Sequence, residues 1–265
     1  MELAQETAKC IVCDGGETRC FVFVNGKQLS RCEACGLIFA HPRPTAEEVT
    51  AYYGEGYYDP YLAARETNAA SHGAALDEID KRSTRGKLLD VGCGIGLFLK
   101  AARARGWEVV GVDPSPWPAA YAREESRVPV RTQSLEDAAF PDESFDVVTF
   151  WSTVEHLSDP LRVLREARRV VRPGGSIWIA VPNTHSLGVF LHGENEHNLA
   201  KPEHLFHFTA PTLRRLLEEG VALTDVERVF LWGDRQGLLR NAFQHLARRT
   251  RLGSEIRMVA RKPSP

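Results

Sequence analysis

The chain has no long hydrophobic run and no marked excess of charge of either sign. None of its apolar stretches approaches the roughly 18 residues of a membrane-spanning helix, and residues 1–6 lack the basic-then-apolar pattern of a signal peptide. A formal net charge of −2 on 265 residues gives the whole molecule no general attraction for nucleic acid. Internal repeats and low-complexity tracts are absent as well. These absences predict a cytoplasmic globular protein that neither crosses nor binds a membrane.

Five of the six cysteines lie within the first 35 residues. Four of them form two pairs of equal spacing, Cys10-x-x-Cys13 and Cys32-x-x-Cys35. Between the pairs, residues 19–27 contain alternating β-forming side chains and end in an Asn-Gly turn, which predicts a hairpin that brings the pairs together. Four thiolates at the corners of a tetrahedron make a closed, structural Zn²⁺ site, and the metal would supply folding energy that so short a segment lacks. Cys20 and His41 are alternative ligands that would break the symmetry of the two pairs.

The chain after this zinc ribbon, which we place at residues 1–44, divides into two parts. A connector or lid at residues 45–71 contains the tyrosine-rich segment 52–58. From residue 72 to 265, short apolar runs alternate with helical stretches, which predicts a doubly wound α/β domain with a mostly parallel sheet. The expected strands lie at 87–91, 108–112, 128–132, 145–150, 176–181, 224–231 and 255–260. A long insertion at about 183–210 precedes the sixth of them.

The most informative string is LLDVGCGIG at residues 88–96, in which a strand enters a glycine-rich turn and a helix leaves it. Glycine occupies every second position of the turn, at Gly92, Gly94 and Gly96. Asp113 ends the next strand, about 20 residues further on, where a carboxylate can accept hydrogen bonds from both ribose hydroxyls. A dinucleotide fold would instead have Gly-x-Gly-x-x-Gly to meet a pyrophosphate. Asp90 would repel phosphate and suits a cofactor with a cationic end, such as a sulfonium with an α-amino group.

Residues 72–262 resemble the class I S-adenosylmethionine-dependent methyltransferases. The resemblance implies a Rossmann-like sheet of seven strands whose last strand is antiparallel. It implies that Asp90 and the three glycines frame the methionine part of S-adenosylmethionine, and that Asp113 binds the ribose. With the ribbon at its N-terminus, the chain is most similar to the small-molecule and sugar methyltransferases of that class.

The string SLEDAAFPDESFD at residues 134–146 matches the next motif of the same family. The family often has Asp at the position of Ser134, where it holds the adenine amine. We therefore expect Leu135, through its backbone, and Glu136 to contact the adenine, with Ser134 beside them. Trp151, at the end of the fourth strand, would pack on the cofactor or shape the pocket.

Methyl transfer from a sulfonium to a hydroxyl needs alignment of the two reactants and a group that removes a proton. The candidate base nearest the end of the fourth strand is His156. Five more histidines follow the fifth strand within 23 residues: His185, His192, His197, His204 and His207. We expect His204, His207 or both to reach the acceptor pocket, the alternative being that they pin a long loop. Some related O-methyltransferases bind Mg²⁺ through Glu-x-x-Glu-His; Glu155 and His156 match the last two positions, whereas Ser152 replaces the first Glu.

Together these features predict an S-adenosylmethionine-dependent methyltransferase that acts on an oxygen of a small molecule or glycan precursor. The rival is an RNA methyltransferase that holds RNA with the ribbon and a basic helix at about 237–248. Between residues 9 and 35, the ribbon has only four basic residues against three acidic ones, which is a poor balance for binding phosphates. They are Lys9, Arg19, Lys27 and Arg31 against Asp14, Glu17 and Glu33. A third alternative is a cofactor-binding regulator without catalysis, against which the intact glycine turn and the dense histidines argue.

Overall fold

The computed structural model describes residues 9–192, 197–229 and 253–264 of the chain. Its strands are β1 (Thr18–Val24), β2 (Lys27–Cys32), β3 (Ile38–Ala40), β4 (Lys87–Val91), β5 (Glu108–Val112), β6 (Val130–Arg131), β7 (Phe145–Trp151), β8 (Val171–Pro182), β9 (Phe206–His207), β10 (Thr224–Arg228) and β11 (Glu255–Arg261). Its helices are α1 (Ala46–Thr50), α2 (Glu55–Ala63), α3 (Arg65–Arg82), α4 (Leu97–Ala104), α5 (Pro116–Glu124), α6 (Pro160–Val170), α7 (Leu187–His192), α8 (His197–Ala200) and α9 (Ala210–Arg215). The strands form one sheet of seven and one of four.

The seven-stranded sheet has the order β10-β11-β8-β7-β4-β5-β6. Its five strands from β8 to β6 are parallel, and β11 runs antiparallel to both β8 and β10. The predicted doubly wound, mostly parallel sheet with an antiparallel last strand is therefore confirmed. The strand expected to begin at residue 176 begins at Val171, because that residue already pairs with Phe145 before the register shifts.

Helices cover both faces of this sheet because its strands are apolar on both sides. On one face, α3 and α4 pack through Leu76, Ile79 and Phe98 into a cluster that includes Leu88 of β4. On the other face, α6 has buried side chains at the spacing of one helical stripe. These residues are Pro160, Val163, Leu164, Ala167 and Val170. The sheet is thus enclosed, and its open edge lies where the parallel strands end.

The four-stranded sheet joins the ribbon to the insertion after β8. Its order is β1-β2-β3-β9, and β3 pairs with β9 so that Ile38 faces His207 and Phe39 faces Phe206. The predicted hairpin forms, with its turn at Asn25 and Gly26, both of which have positive φ. The apolar face of the ribbon is thereby covered by the insertion.

The connector also has the local structure that its sequence predicts. Thr45 and Glu48 form a reciprocal capping box at the start of α1. The next long helix, α3, runs without a break through the expected boundary between residues 71 and 72. Among the helices described, none combines the length and apolar character needed to cross a membrane. The basic helix expected at 237–248 lies outside the described residues.

Candidate active site

A glycine-rich turn connects β4 to α4 at the edge where the parallel strands end. Gly92, Gly94 and Gly96 have φ values of +67°, +52° and +75°, in the left-handed region that favours glycine. A methyl group on Gly92 would lie 2.5 Å from Cγ2 of Thr153, and one on Gly96 would lie 2.8 Å from Cγ2 of Val128. Larger residues would therefore distort the turn, and its backbone stays accessible to a ligand.

Asp113 follows β5 and is held against this turn by two backbone groups. Its Oδ2 accepts a hydrogen bond from the Gly94 N–H, and its Oδ1 accepts one from the Ser115 N–H, both at 2.9 Å. Burial raises the pKa of Asp113, although these two hydrogen bonds oppose that rise. The carboxyl group is thus fixed in orientation beside the glycine turn.

Asp90 is buried on β4, two residues before the turn. Thr149 of β7 donates a hydrogen bond to its Oδ1 at 2.7 Å. Burial raises the pKa of Asp90 to about 8, and the nearby Asp113 adds to the rise. The carboxyl therefore keeps its proton at neutral pH, and a cation placed beside it would favour the ionised form.

A single cavity of about 720 Å³ lies in front of these groups. The sequence-predicted residues that line it are Asp90, Gly92, Gly94, Asp113, Ser134, Leu135, Glu136, Trp151 and His156. Gly96 is not part of the wall and shapes the turn from behind. Two of the expected adenine contacts already have protein partners: Ser134 donates a hydrogen bond to Asp137, and Glu136 accepts one from Arg162 at 2.8 Å.

Tyrosines of the connector form one wall of the cavity. They are Tyr53, Tyr57, Tyr58 and Tyr61. The Tyr58 ring stacks on the Trp117 ring with 5.7 Å between centroids. The Cε1 atom of Tyr58 also lies 3.2 Å from the point that a Cβ on Gly94 would occupy. The connector therefore lies directly over the glycine turn.

His156 lies in a short 3₁₀ turn after β7, in the wall of the same cavity. Its Nδ1 lies 2.8 Å from the Tyr53 hydroxyl and 3.1 Å from the backbone oxygen of Glu203. Because a carbonyl oxygen only accepts, we assign the proton to Nδ1 and a lone pair to Nε2. Nε2 lies 3.7 Å from Oε1 of Glu155. Burial lowers the pKa of His156 to about 3, so the ring is neutral.

Behind His156 lies a buried polar cluster. The His204 ring lies 4.7 Å from the His156 ring and 6.3 Å from the His207 ring, between centroids. Both carboxylate oxygens of Glu155, Nδ1 of His204 and Nε2 of His207 are buried without a hydrogen-bond partner. Burial raises the pKa of Glu155 to about 8 and lowers the pKa values of both histidines, that of His207 to about 3.

The expected approach of His204 or His207 to the acceptor pocket does not occur in this arrangement. Neither residue is part of the cavity wall, because the pairing of β9 with β3 turns this segment towards the ribbon. His204 adjoins the cavity only through the His156 ring. His185 is exposed, and the side chains of His192 and His197 lie outside the described part of the structure.

Residues 58–220 match the family model described as a methyltransferase domain, which is more than half of the chain. The chain belongs to this methyltransferase family. The ubiquinone biosynthesis O-methyltransferases of Pseudomonas putida (strain GB-1) and Hahella chejuensis are 38% and 40% identical to it, over 113 and 116 residues. The matches cover 40% and 41% of this methyltransferase. It spans about half the length of these curated relatives, 49% of each.

The fold of the methyltransferase is also similar to solved structures. A SAM dependent methyltransferase from Archaeoglobus fulgidus has a TM-score of 0.59 at 21% identity, covering 78% of this chain and 98% of that one. At this identity the similarity concerns the fold. Together with the family match, it confirms the resemblance to class I S-adenosylmethionine-dependent methyltransferases.

The four cysteines of the methyltransferase's ribbon lie together, as the spacing predicts. The Sγ atoms of Cys10 and Cys35, and those of Cys13 and Cys32, are 3.5 Å apart, and all four lie within 4.8 Å of one another. Zn–S bonds of about 2.3 Å in a tetrahedron require Sγ separations of about 3.8 Å, so the four thiols fit Zn²⁺. Cys20 is exposed on β1, and neither it nor His41 belongs to the cluster.

Several residues around the methyltransferase's cavity were not assigned from the sequence. Trp117 has no motif of its own, although its position just after Asp113 on α5 is a signal that could have found it. Tyr53 was noted only as part of a tyrosine-rich segment, and Arg257 only as a position within the last expected strand, 255–260. Glu203 gave no local signal, because its backbone oxygen meets His156 across 47 residues of sequence.

Proposed function

We propose that this methyltransferase transfers the methyl group of S-adenosylmethionine to an oxygen of a small-molecule acceptor in a biosynthetic pathway. The observation that carries the proposal is one cavity whose wall contains the glycine turn, Asp113 and the neutral His156. We call the part of the wall at Asp113 the donor end and the part at His156 the acceptor end. The curated relatives named ubiquinone biosynthesis O-methyltransferases support an oxygen acceptor.

At the donor end, the two oxygens of Asp113 would accept hydrogen bonds from the ribose hydroxyls of the cofactor. The backbone amides of Gly94 and Ser115 already hold this carboxylate in place. The protonated Asp90 would ionise beside the cationic part of the cofactor and attract it. Leu135, Ser134 and Glu136 would border the adenine.

At the acceptor end, the protein must align the hydroxyl and remove its proton. The lone pair on Nε2 of His156 would take that proton, and the hydrogen bond from Nδ1 to the Glu203 carbonyl keeps the ring in the required tautomer. A base with a pKa of about 3 is weak. His156 therefore needs a hydroxyl that has already been made more acidic.

A divalent cation held by Glu155, His156 and His204 would be the alternative to that base, because Nε2 of His156 would then bind the ion and the acceptor proton would leave to water. One ligand atom from each of the three residues lies within 4.8 Å of the others, and the unpaired atoms of Glu155 and His204 have no donor to compensate them. Such an ion makes a bound hydroxyl more acidic. Two nitrogen ligands and one carboxylate suit Mn²⁺, Co²⁺ or Zn²⁺ better than the expected Mg²⁺, which prefers oxygen.

The metal proposal has a direct test. With the ribbon zinc-loaded, Mn²⁺ titration followed by electron paramagnetic resonance should detect one further site, which Glu155→Gln removes and excess Mg²⁺ displaces poorly. A protein without that second site would contradict the metal proposal and leave methyl transfer by His156 alone.

A structural zinc at the four cysteines completes the proposal. The acceptor can be a small molecule or a glycan precursor. The RNA alternative is less well supported, because Lys27 of the ribbon points inward and donates its hydrogens to the insertion rather than facing solvent. Arg19, another ribbon base, lies 3.6 Å from Glu33.

The proposed function is tested in two steps. Calorimetry should first detect binding of S-adenosylhomocysteine to the purified full-length protein. Incubation with methyl-labelled S-adenosylmethionine and fractionated cell extract should then place the label in small molecules, in a product stable to the conditions that cleave methyl esters. Label in RNA would instead support the alternative, and a protein that binds no S-adenosylhomocysteine would contradict both.

A further inference from the structure

Trp151 and Arg257 are two residues of the cavity wall, and each has a buried hydrogen-bond donor without a partner. These donors are Nε1 of Trp151 and Nε of Arg257. Both groups only donate, so a protein acceptor or a ligand acceptor is needed to satisfy them. An unpaired buried donor is costly, roughly 1–3 kcal/mol for each group. The proposed chemistry of His156 and Asp113 uses neither of these donors.

Strand register brings the two side chains to the same face of the sheet. Ala180 of β8 pairs with Trp151 of β7 on one side and with Arg257 of β11 on the other. Residues paired across neighbouring strands point to the same face. Between these two longer side chains, this row across the three strands contains the short methyl group of Ala180.

The guanidinium of Arg257 is oriented by groups that leave its Nε unused. Its Nη2 donates to Oε2 of Glu255 at 2.7 Å and to Oγ of Ser71 at 3.3 Å. Trp151 is held in turn by the Phe98 ring, with 5.0 Å between centroids. Both donors are therefore fixed in orientation before any ligand arrives.

We propose that Trp151 and Arg257 form a carboxylate-binding subsite inside the cavity. Two donors with a cation behind them match the two oxygens of a carboxylate. A phosphate would fit less well, because Asp113 and Glu255 line the same cavity and would repel a second negative charge. Among the cavity residues that the structure describes, the other arginine, Arg162, is already bonded to Glu136.

The carboxylate can come from either substrate of the proposed function, on which this inference rests. The amino-acid end of the methyl donor carries one, and Trp151 lies one pleat beyond Thr149, the partner of Asp90. An acceptor molecule can carry one as well. The chemistry of recognition is the same in both cases, and binding measurements distinguish the two sources.

The first experiment compares two nucleosides that differ in the amino-acid end. Calorimetry would measure S-adenosylhomocysteine and 5′-methylthioadenosine, which lacks the carboxylate, on the wild type, Arg257→Gln and Trp151→Phe. If the subsite holds the donor's carboxylate, each variant should weaken the binding of S-adenosylhomocysteine by roughly tenfold or more. The binding of 5′-methylthioadenosine should stay unchanged. Arg85→Gln, an exposed arginine paired with Asp80 far from the cavity, is the matched control.

The second experiment tests the acceptor's carboxylate with benzoate as the probe and benzamide as its uncharged control. Saturation-transfer NMR would follow both on the protein loaded with S-adenosylhomocysteine. If the subsite serves the acceptor, benzoate should bind to the wild type but to neither variant, while nucleoside affinities stay unchanged. Arg257→Lys should restore part of the benzoate binding, because it keeps the charge but not the planar fork.

The inference is overturned if both variants bind S-adenosylhomocysteine and benzoate as the wild type does. It is also overturned if the variants weaken the binding of 5′-methylthioadenosine as much as that of S-adenosylhomocysteine, since the lost affinity would then not come from a carboxylate. Thermal unfolding of each variant controls for folding. A wild type that binds neither nucleoside would contradict the proposed function instead, and benzoate binding to the free protein would then test the subsite by itself.

Discussion

At the scale of single residues, the donor end of the cavity depends on carboxyl groups that differ in their partners. Asp113 is held by two backbone amides, whereas Asp90 has one hydroxyl donor and strong burial. The difference in partners gives them different expected roles. Asp113 is ready to accept hydrogen bonds from hydroxyl groups, and Asp90 is ready to respond to positive charge.

Replacing Asp113 should weaken cofactor binding without unfolding the protein. Asp113→Asn keeps one oxygen for the backbone amides but loses the charge that two ribose hydroxyls would share. We expect the dissociation constant of S-adenosylhomocysteine to rise at least roughly tenfold, since a hydrogen bond to a charged group contributes about 1.5–3 kcal/mol. Calorimetry measures the effect, with the exposed Asp77→Asn as control. Equal affinity in the two variants would refute the ribose assignment.

Asp90 should make the stability of the ligand-free protein depend on pH. The unfolded carboxyl releases its proton near pH 4, whereas the folded one keeps it to about pH 8. Between these values the native state binds more protons, so the contribution of Asp90 to stability falls as the pH rises. Asp90→Asn removes this dependence.

The variant should therefore gain stability relative to the wild type as the pH increases from 4 to 8. Urea unfolding at several pH values measures the difference. The free energy of unfolding of the variant minus that of the wild type should be lowest near pH 4 and highest near pH 8. A difference that does not change with pH would mean that Asp90 is ionised in the folded protein.

At the scale of secondary-structure elements, the ribbon and the insertion form one unit. The Lys27 ammonium, just after the hairpin turn, donates to the backbone oxygens of Lys201 and His204 at 2.7 and 2.8 Å. The Asn25 side chain donates to the backbone oxygen of Ala200 at 2.9 Å. The N–H of Leu205 in turn donates to the backbone oxygen of Glu155 at 2.8 Å. A continuous series of contacts thus runs from the hairpin to the buried polar cluster.

Lys27→Met should loosen the insertion while leaving the ribbon metal in place. Two backbone oxygens would lose a charged donor, which would lower the free energy that holds the insertion in place by roughly 1.5–3 kcal/mol. We expect faster amide exchange at Leu205 and His207 by hydrogen–deuterium exchange, with an unchanged zinc content. Lys81→Met is the control, because Lys81 is exposed and contacts only its neighbour Glu78 on the same helix. Equal exchange in the two variants would show that Lys27 does not hold the insertion.

Elements with a local signal were predictable, and those made by distant contacts were not. The glycine turn, the strand bounds of β4 and β5, and the Asn-Gly hairpin all follow from adjacent residues. Strand β9 could not be predicted, because its two residues become a strand only by pairing with β3, more than 160 residues earlier in the sequence. The Trp151–Ala180–Arg257 row likewise depends on the register of three strands.

At the scale of the whole molecule, the ribbon and the polar cluster behind His156, which are the two proposed metal sites, share a short segment of chain. The insertion contributes β9 to the ribbon sheet and His204 to the cluster behind His156. The glycine turn belongs to the seven-stranded sheet, which shares one hydrophobic cluster with the ribbon and has a second cluster without ribbon residues. The order of the acceptor end should therefore depend on the ribbon more strongly than the order of the donor end.

Removing the ribbon metal should separate these two ends. The full-length protein should contain about one zinc per chain at the four-cysteine site, and Cys10→Ser should lose it together with the pairing of β3 and β9. We expect S-adenosylhomocysteine to bind as before, while amide exchange of residues 204–208 increases and the second Mn²⁺ site weakens. Zinc analysis, calorimetry and hydrogen–deuterium exchange on one preparation measure all three effects, and Cys20→Ser is the control because Cys20 lies outside the cluster. If the variant lost nucleoside binding as readily as it lost order at 204–208, the ribbon would stabilise the whole fold rather than its acceptor end.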